Sequence, residues 1–220
     1  MEYKDLGGGS INDSISIYNC DCMDLLKQTP DNYYSIAIVD PPYGIDVSKM
    51  NMGSRKTVKP DKTKNWDNTT PDREYFNELF RVSINQIIWG GNYFDLPPSQ
   101  YFAIWDKGET MYGRDFAECE QAWVRSGGTR IYKKSPNQLE RIHPTQKPVK
   151  LYEWILSRYA EPNQKILDTH LGSGSIAIAI DNVNKIEKMN LTLTACELDP
   201  DYFKAAMKRI EQQTAQQTIF

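Results

Sequence analysis

Residues 166–175 read Ile166-Leu167-Asp168-Thr169-His170-Leu171-Gly172-Ser173-Gly174-Ser175. An apolar run stops at an acid, two glycines follow, and apolar residues at helical spacing begin after Ser175, which spells strand, tight turn and helix. Glycines in the bend leave no Cβ in the way, so a ligand can approach backbone N–H groups at the positive end of the helix dipole. The strand is predicted over 165–168 and the helix over 175–183. A further strand, 191–196, ends at Glu197, whose carboxylate can accept both hydroxyls of a ribose. Turn and acid together describe an adenosine-cofactor site; the alternative is an ordinary strand-to-helix turn with a solvated Glu.

Outward from this segment the chain alternates. Strands are predicted over 14–18, 35–39, 87–89, 101–105, 116–124 and 129–133, the last two joined as a hairpin around Gly127-Gly128. Helices are predicted over 22–27, from a Thr70-Pro71-Asp72 start carrying Tyr75, Phe76, Leu79, Phe80 and Val82, over 148–160, and over 199–213 with Asp199 as cap. Such alternation implies an α/β layer sandwich around a mostly parallel, twisted sheet with helices on both faces and one antiparallel hairpin. A length of 220 residues suits one domain, assigned to 11–220. Residues 1–10, with Gly7-Gly8-Gly9-Ser10, read as a flexible leader or cloning scar outside the fold. Residues 45–70 form a polar insertion too long for a simple connector.

Composition narrows the function classes. No run approaches the ~20 apolar residues of a membrane span, and no secretory signal is present, so a cytoplasmic protein without membrane contact is expected. Four cysteines, Cys20, Cys22, Cys119 and Cys196, form no C-x-x-C pair, and His143 and His170 are the only histidines. Buried free thiols are expected, with no zinc site or other metal and no disulfide framework. The net charge of −3 is unevenly spread. Residues 49–64 carry six Lys/Arg against one acid and residues 125–150 carry seven against one, on an otherwise acidic body. These two segments are either solvated loop faces or contacts to a phosphate backbone.

The sequence Gly172-x-Gly174-x-x-Ala177 also satisfies a dinucleotide fingerprint with its distal acid. Only 23 residues follow Glu197, so no second mononucleotide-binding half is expected downstream, and the sheet has to be completed by strands that come earlier. That order suits a permuted S-adenosylmethionine site better than an NAD site.

Asp40-Pro41-Pro42-Tyr43 directly follows the 35–39 strand. Two prolines end the strand and make a rigid corner at the sheet's carboxyl edge, where ligands of open α/β sheets bind. Proline carbonyls stay available as acceptors and Asp40 adds another, so the corner suits an amino group. Tyr43 offers a face on which a heteroaromatic ring can stack. The alternative is a strand-terminating turn with a capping Asp.

This set resembles the amino-group DNA methyltransferases of the β arrangement, in which the catalytic DPPY comes first and the glycine-rich cofactor loop last. Asn19-Cys20-Asp21-Cys22-Met23-Asp24 is similar to the family's acidic segment at the cofactor's adenine. His143-Pro144-Thr145-Gln146-Lys147-Pro148 is similar to its motif at the methionine end. The resemblance covers nearly the whole chain after residue 14. It implies a Rossmann-like S-adenosylmethionine-dependent methyltransferase fold with permuted motif order, and S-adenosyl-L-methionine as cofactor. Asp40, Pro41, Pro42 and Tyr43 are then catalytic. Asp21, Cys22, Asp40, Thr145, Gln146 and Lys147 hold the cofactor, together with Asp168, His170, Gly172, Ser173, Gly174, Ser175, Glu197 and Leu198.

Two departures stand out. His170 lies where the family usually has an aromatic residue, and only about 37 residues separate Trp105 from His143, which leaves no room for a dedicated target-recognition domain. DNA contact is therefore expected from Lys49, Arg55, Lys56, Lys59, Lys62 and Lys64 in the insertion. Arg130, Lys133, Lys134 and Arg141 in the second basic segment are expected to join them. Family analogy also implies a homodimer. By the same resemblance, an Asp at the first tetrapeptide position implies adenine N6 over cytosine N4, and the base has to be flipped out of the duplex. An inactive cofactor-binding subunit and an NAD-dependent oxidoreductase are the rival classes; no hydride-relay residue is evident for the second.

Overall fold

Nine strands form one sheet in the computed structural model, which describes residues 3–45, 67–114, 117–136, 141–143 and 145–215. In chain order these are β1 (Gly7–Asn12), β2 (Ile15–Asn19), β3 (Tyr34–Val39), β4 (Ser83–Trp89), β5 (Tyr101–Asp106), β6 (Cys119–Val124), β7 (Arg130–Lys133), β8 (Lys165–Asp168) and β9 (Thr192–Cys196). The helices are α1 (Cys22–Gln28), α2 (Arg73–Val82), α3 (Val149–Tyr159), α4 (Ser175–Glu187) and α5 (Pro200–Thr214). Across the sheet the strands run β1-β2-β9-β8-β3-β4-β6-β5-β7. Only β1 and β6 pair antiparallel to their neighbours. No helix among the described residues is long and apolar enough to cross a membrane.

Period-two burial divides each central strand between two cores. Ile36, Ile38, Ile87, Trp89, Ile166 and Ala195 face the core built with α3, α4 and α5, whereas Ala37, Val39, Ile88, Leu167 and Cys196 face the one built with α1 and α2. Helices thus cover both faces, and a strand with no solvated side reads as a continuous apolar run. Local chemistry sets the helix starts. Asp21, Asp72 and Asp199 cap α1, α2 and α5 by accepting from Met23 N, from Tyr75 N, and from Asp201 N and Tyr202 N.

The first reversal of strand order lies between β8 and β3. From β3 the chain moves outward to β4, from β8 to β9 in the opposite direction, and a crevice opens at the shared carboxyl edge. The Asp40 corner and the glycine bend, remote in sequence, each leave one of these two adjacent strands.

Three expectations need correction. The stretch 1–10 is not a loose leader where it is described: Gly7–Asn12 form β1 against β2, and Tyr3 is buried with its hydroxyl bonded to Thr29 Oγ1 (2.9 Å) and to the Tyr34 hydroxyl. Glycine here permits a ladder. At Gly8 φ is 142° and a Cβ would sit 2.3 Å from the Ile17 carbonyl oxygen, so composition that reads as linker is instead required by close backbone pairing. Second, β6 and β7 are not a hairpin. β5 lies between them, antiparallel to β6 and parallel to β7, because the apolar β5 can pair along both edges and shield the more exposed β7. Third, the thiols are not all buried: Cys196 is, Cys20 and Cys22 are half-buried, and Cys119 at the amino end of β6 is exposed.

Candidate active site

The corner after β3 is held from both sides. Asp67, buried at the far end of the insertion, accepts from the Tyr43 and Gly44 backbone N–H groups with one oxygen, at 2.7 and 3.1 Å. The Tyr43 ring stacks on Tyr93 at 4.9 Å and 9°, and its hydroxyl donates to Asp40 Oδ1 at 2.6 Å. Burial and the Asp40 charge hold the Tyr43 phenol well above its ordinary range, so it stays a neutral donor. Tyr43 therefore orients the carboxylate, and one of its faces is covered rather than offered to a ligand. Gly90 makes this packing feasible: its φ is 66°, and a Cβ there would lie 2.3 Å from the Tyr43 ring.

The other oxygen of Asp40 meets Lys147. Lys147 Nζ donates to Asp40 Oδ2 at 2.5 Å, lies 3.2 Å from Glu120 Oε2, and sits 5.1 Å above the Trp89 ring. Burial lowers the Lys147 pKa, but Asp40 and Glu120 outweigh it, and the ammonium form is held above the ordinary lysine range. Lys107 bonds the other Glu120 oxygen at 2.9 Å. For Glu120, burial acts upward and the two lysines win, keeping it below the usual carboxylate range.

Beside this corner is a cavity of about 430 Å³ at the switch point. Twelve of the expected residues line it: Asp40 and Pro42 just after β3; Asp21 and Cys22 where α1 begins; Thr145, Gln146 and Lys147 ahead of α3; His170, Gly172 and Ser173 in the glycine bend; and Glu197 and Leu198 after β9. Glu197 is held by two backbone donors, Gly172 N to Oε2 (2.8 Å) and Asp199 N to Oε1 (3.0 Å). Each oxygen keeps a further lone pair, so vicinal hydroxyls can be accepted by both. Burial pushes the Glu197 carboxyl up, while the N–H donors of Asp199 and Gly172 pull it back. Cys22 is pushed up to about 12, mainly by burial, so it meets a ligand as a neutral thiol. His170 is lowered to about 4 by burial and packs edge-on against Tyr75 at 5.4 Å, a neutral ring on the cavity wall.

Five expected residues support the cavity from behind instead of lining it. Pro41 and Tyr43 belong to the corner. Asp168 is buried at the end of β8 and accepts from His170 N at 2.9 Å, which shapes the bend. Gly174 is left-handed (φ 74°), and a Cβ on it would lie 2.6 Å from Ile210 of α5. Ser175 opens α4 and donates to the Lys147 carbonyl at 2.8 Å, tying the bend to the 143–148 segment.

Several contributors escaped sequence reasoning. Arg209 on α5, itself buried, donates from Nη1 to Ser173 O (2.7 Å) and Ser175 Oγ (3.1 Å) and so pins the glycine loop from below. Tyr202 packs edge-on against His143 at 4.4 Å on the cavity rim. Glu120, Lys107 and Asp67 come from segments without motif character, and only spatial proximity could have found them.

The basic residues separate into three groups. Lys49, Arg55, Lys56, Lys59, Lys62 and Lys64 lie outside the described residues. Lys133 ends β7 and Lys134 follows it, on the sheet edge that also carries Asp40, though Lys133 is paired with Glu109 at 2.7 Å. Arg130 stands at the other end of that strand, away from the cavity edge, and Arg141 is half-buried with Nη2 donating to Pro136 O at 2.7 Å. Net charge along the sequence could not tell these ends apart.

Residues 101–208, a little under half of the chain, match the family model described as DNA methylase, of the N6/N4 methyltransferase type. "Putative methylase YubD" of Escherichia coli (strain K12) is 24% identical over 185 residues, spanning 72% of this chain and 76% of that one. Among solved structures, the M1.HpyAVI complex with S-adenosylmethionine superposes with a TM-score of 0.56 at 18% identity, over 89% of this chain and 98% of that one. The cytosine-N4-specific PvuII DNA methyltransferase gives 0.61 at 12% identity, over 100% and 92%. At such identities the likeness to solved structures is one of fold. The family match and the fold point the same way, toward the α/β fold of DNA methyltransferases, one of which is solved with S-adenosylmethionine. The Asp40 corner lies outside the matched residues, so its role rests on geometry.

Proposed function

We propose that this chain methylates the exocyclic N6 of an adenine flipped out of DNA. The observation that carries this reading is the position of Asp40: its carboxylate lies on the wall of the cofactor cavity, on a corner made rigid by two prolines. Asp at that position, rather than Ser, supports adenine over cytosine. Bound in the cavity, S-adenosyl-L-methionine supplies an already activated sulfonium methyl. The backbone N–H groups of the glycine bend would face the bound cofactor and Glu197 would accept its ribose hydroxyls, with Asp21, Cys22, His170 and Leu198 lining the same cavity.

An exocyclic amino nitrogen is a poor nucleophile because its lone pair is delocalised into the ring. Asp40 and the Pro41 carbonyl accept the two amino protons, which favours a pyramidal nitrogen and aims the lone pair in line with the methyl. Transfer would form the nitrogen–methyl bond as the sulfur–methyl bond breaks, and Asp40 would receive the proton shed by the product nitrogen. Positioning and the negative charge of Asp40 carry the catalysis. The base leaves its stack at a cost of a few kcal/mol. Lys134 at the same edge and the basic insertion meet the phosphates.

The test is mass spectrometry of nucleosides from DNA incubated with purified chain and cofactor. N6-methyladenine is expected; N4-methylcytosine instead would move the assignment to the second reading, and neither product would refute both. In the same assay Asp40→Ala should lower turnover by roughly 10²–10³ or more, a larger loss than in cofactor affinity. Wild-type turnover in that variant would remove Asp40 from the mechanism.

A further inference from the structure

Lys147 stands in the place that the proposed mechanism reserves for the substrate. Its Nζ is 2.5 Å from Asp40 Oδ2 and 3.3 Å from the Tyr43 hydroxyl, so the carboxylate that should accept an amino proton already accepts from an ammonium. The lysine side chain is only 4% exposed, so it cannot be displaced into water without disrupting the packing around it. A buried ammonium also cannot be left without a counter-charge. On its other side waits Glu120, 3.2 Å away on β6 and oriented by Lys107. The four groups form a row of alternating charge, Lys107, Glu120, Lys147 and Asp40, with Lys147 over the Trp89 ring and Lys107 over the Trp105 ring.

We propose that Lys147 is a two-position ammonium: it occupies Asp40 while no base is present and moves to Glu120 when the target amino group arrives, which makes Glu120 a positioning residue for the transfer. Resting on the amino-methyltransferase reading above, this assignment adds a residue that touches neither cofactor nor base. A small swing of the lysine shortens the Glu120 contact and uncovers Asp40 Oδ2, and every charge in the row keeps a partner throughout. The same movement takes a fixed positive charge away from the nitrogen that becomes cationic during transfer. In the empty site, Lys147 keeps the Asp40 charge paired. Glu120 lies within the 101–208 match yet has no motif around it, which is the expected pattern for a group acting through a neighbour.

Three variants test this with tritium-labelled cofactor and plasmid DNA: Glu120→Gln, Lys147→Met and the double variant. With its second berth neutralised, Lys147 should hold Asp40 more tightly. Glu120→Gln is expected to lose at least 10-fold in kcat/KM for DNA, with the affinity for S-adenosylhomocysteine, measured by calorimetry, within about 2-fold of wild type. Removing the competing ammonium as well, with labelled cofactor saturating for every variant because Lys147 also lines the cavity, should restore most of that loss, so the double variant should outperform Glu120→Gln. A merely structural role would make the two losses add. Wild-type kcat/KM in Glu120→Gln, or a double variant worse than either single one, overturns the proposal while leaving wild-type transfer intact. Absence of transfer by the wild-type chain overturns the underlying reading instead, and this assignment with it.

Discussion

At the scale of single residues, burial rather than neighbouring charge decides the ionisation of Asp168. Its carboxyl is pushed up to about 8, chiefly by desolvation, with the His170 N–H working against that shift. In the unfolded chain an aspartate titrates near ~3.9. Between about pH 4 and pH 8 the folded protein therefore holds a proton that the unfolded chain has lost, so stability falls as pH rises through this window. Asp168→Asn should flatten that slope: urea denaturation of wild type at about pH 5 and pH 8 should show lower stability at the higher pH, and the variant should show a much smaller difference. An equal slope in both would mean Asp168 is ionised in the fold.

Elements depend on contacts that arrive from elsewhere in the chain. The α4 start has no side-chain cap, since its N-cap is Gly174 in a left-handed conformation, and the loop before it is held by Arg209 from α5. Replacing this arginine by Met keeps bulk at the site but leaves the Ser173 carbonyl without that donor, a loss of about 1–3 kcal/mol for a buried acceptor. Arg209→Met is expected to weaken S-adenosylhomocysteine binding about 10-fold or more in calorimetry, with far-UV circular dichroism unchanged. Unaltered affinity would show that the bend is rigid without the clamp. The α4 segment itself was readable from its apolar spacing because that information is local. The pairing of β7 was not, because whether a four-residue strand joins β6 or β5 is settled by which edge remains free.

For the whole molecule, charge matters by where the fold delivers it. Lys134 and the cavity share the carboxyl edge of the sheet, whereas Arg130 lies at the opposite end of β7. If DNA lies across the Asp40 edge, Lys134→Ala should reduce the slope of log K against log salt by about 1, and Arg130→Ala should leave it unchanged. Titrations of a labelled duplex at several salt concentrations measure both. Equal slopes for the two variants would move the DNA face elsewhere.

Apart from β1, most strand and helix placement, the glycine bend, the proline corner and the acid after β9 were legible in the sequence because each is a local rule: periodicity, φ freedom at glycine, ring closure at proline. Their convergence, and the identity of the groups that hold them, belonged to the tertiary structure. Adjacency of β3 and β8 put Asp40 on the wall of the cavity at the switch point. Long-range packing brought in Asp67, Glu120 and Arg209, and turned the glycine-rich start of the chain into β1. An electrostatic or backbone partner is defined by distance in space, and for these residues nothing in the neighbouring sequence encodes it.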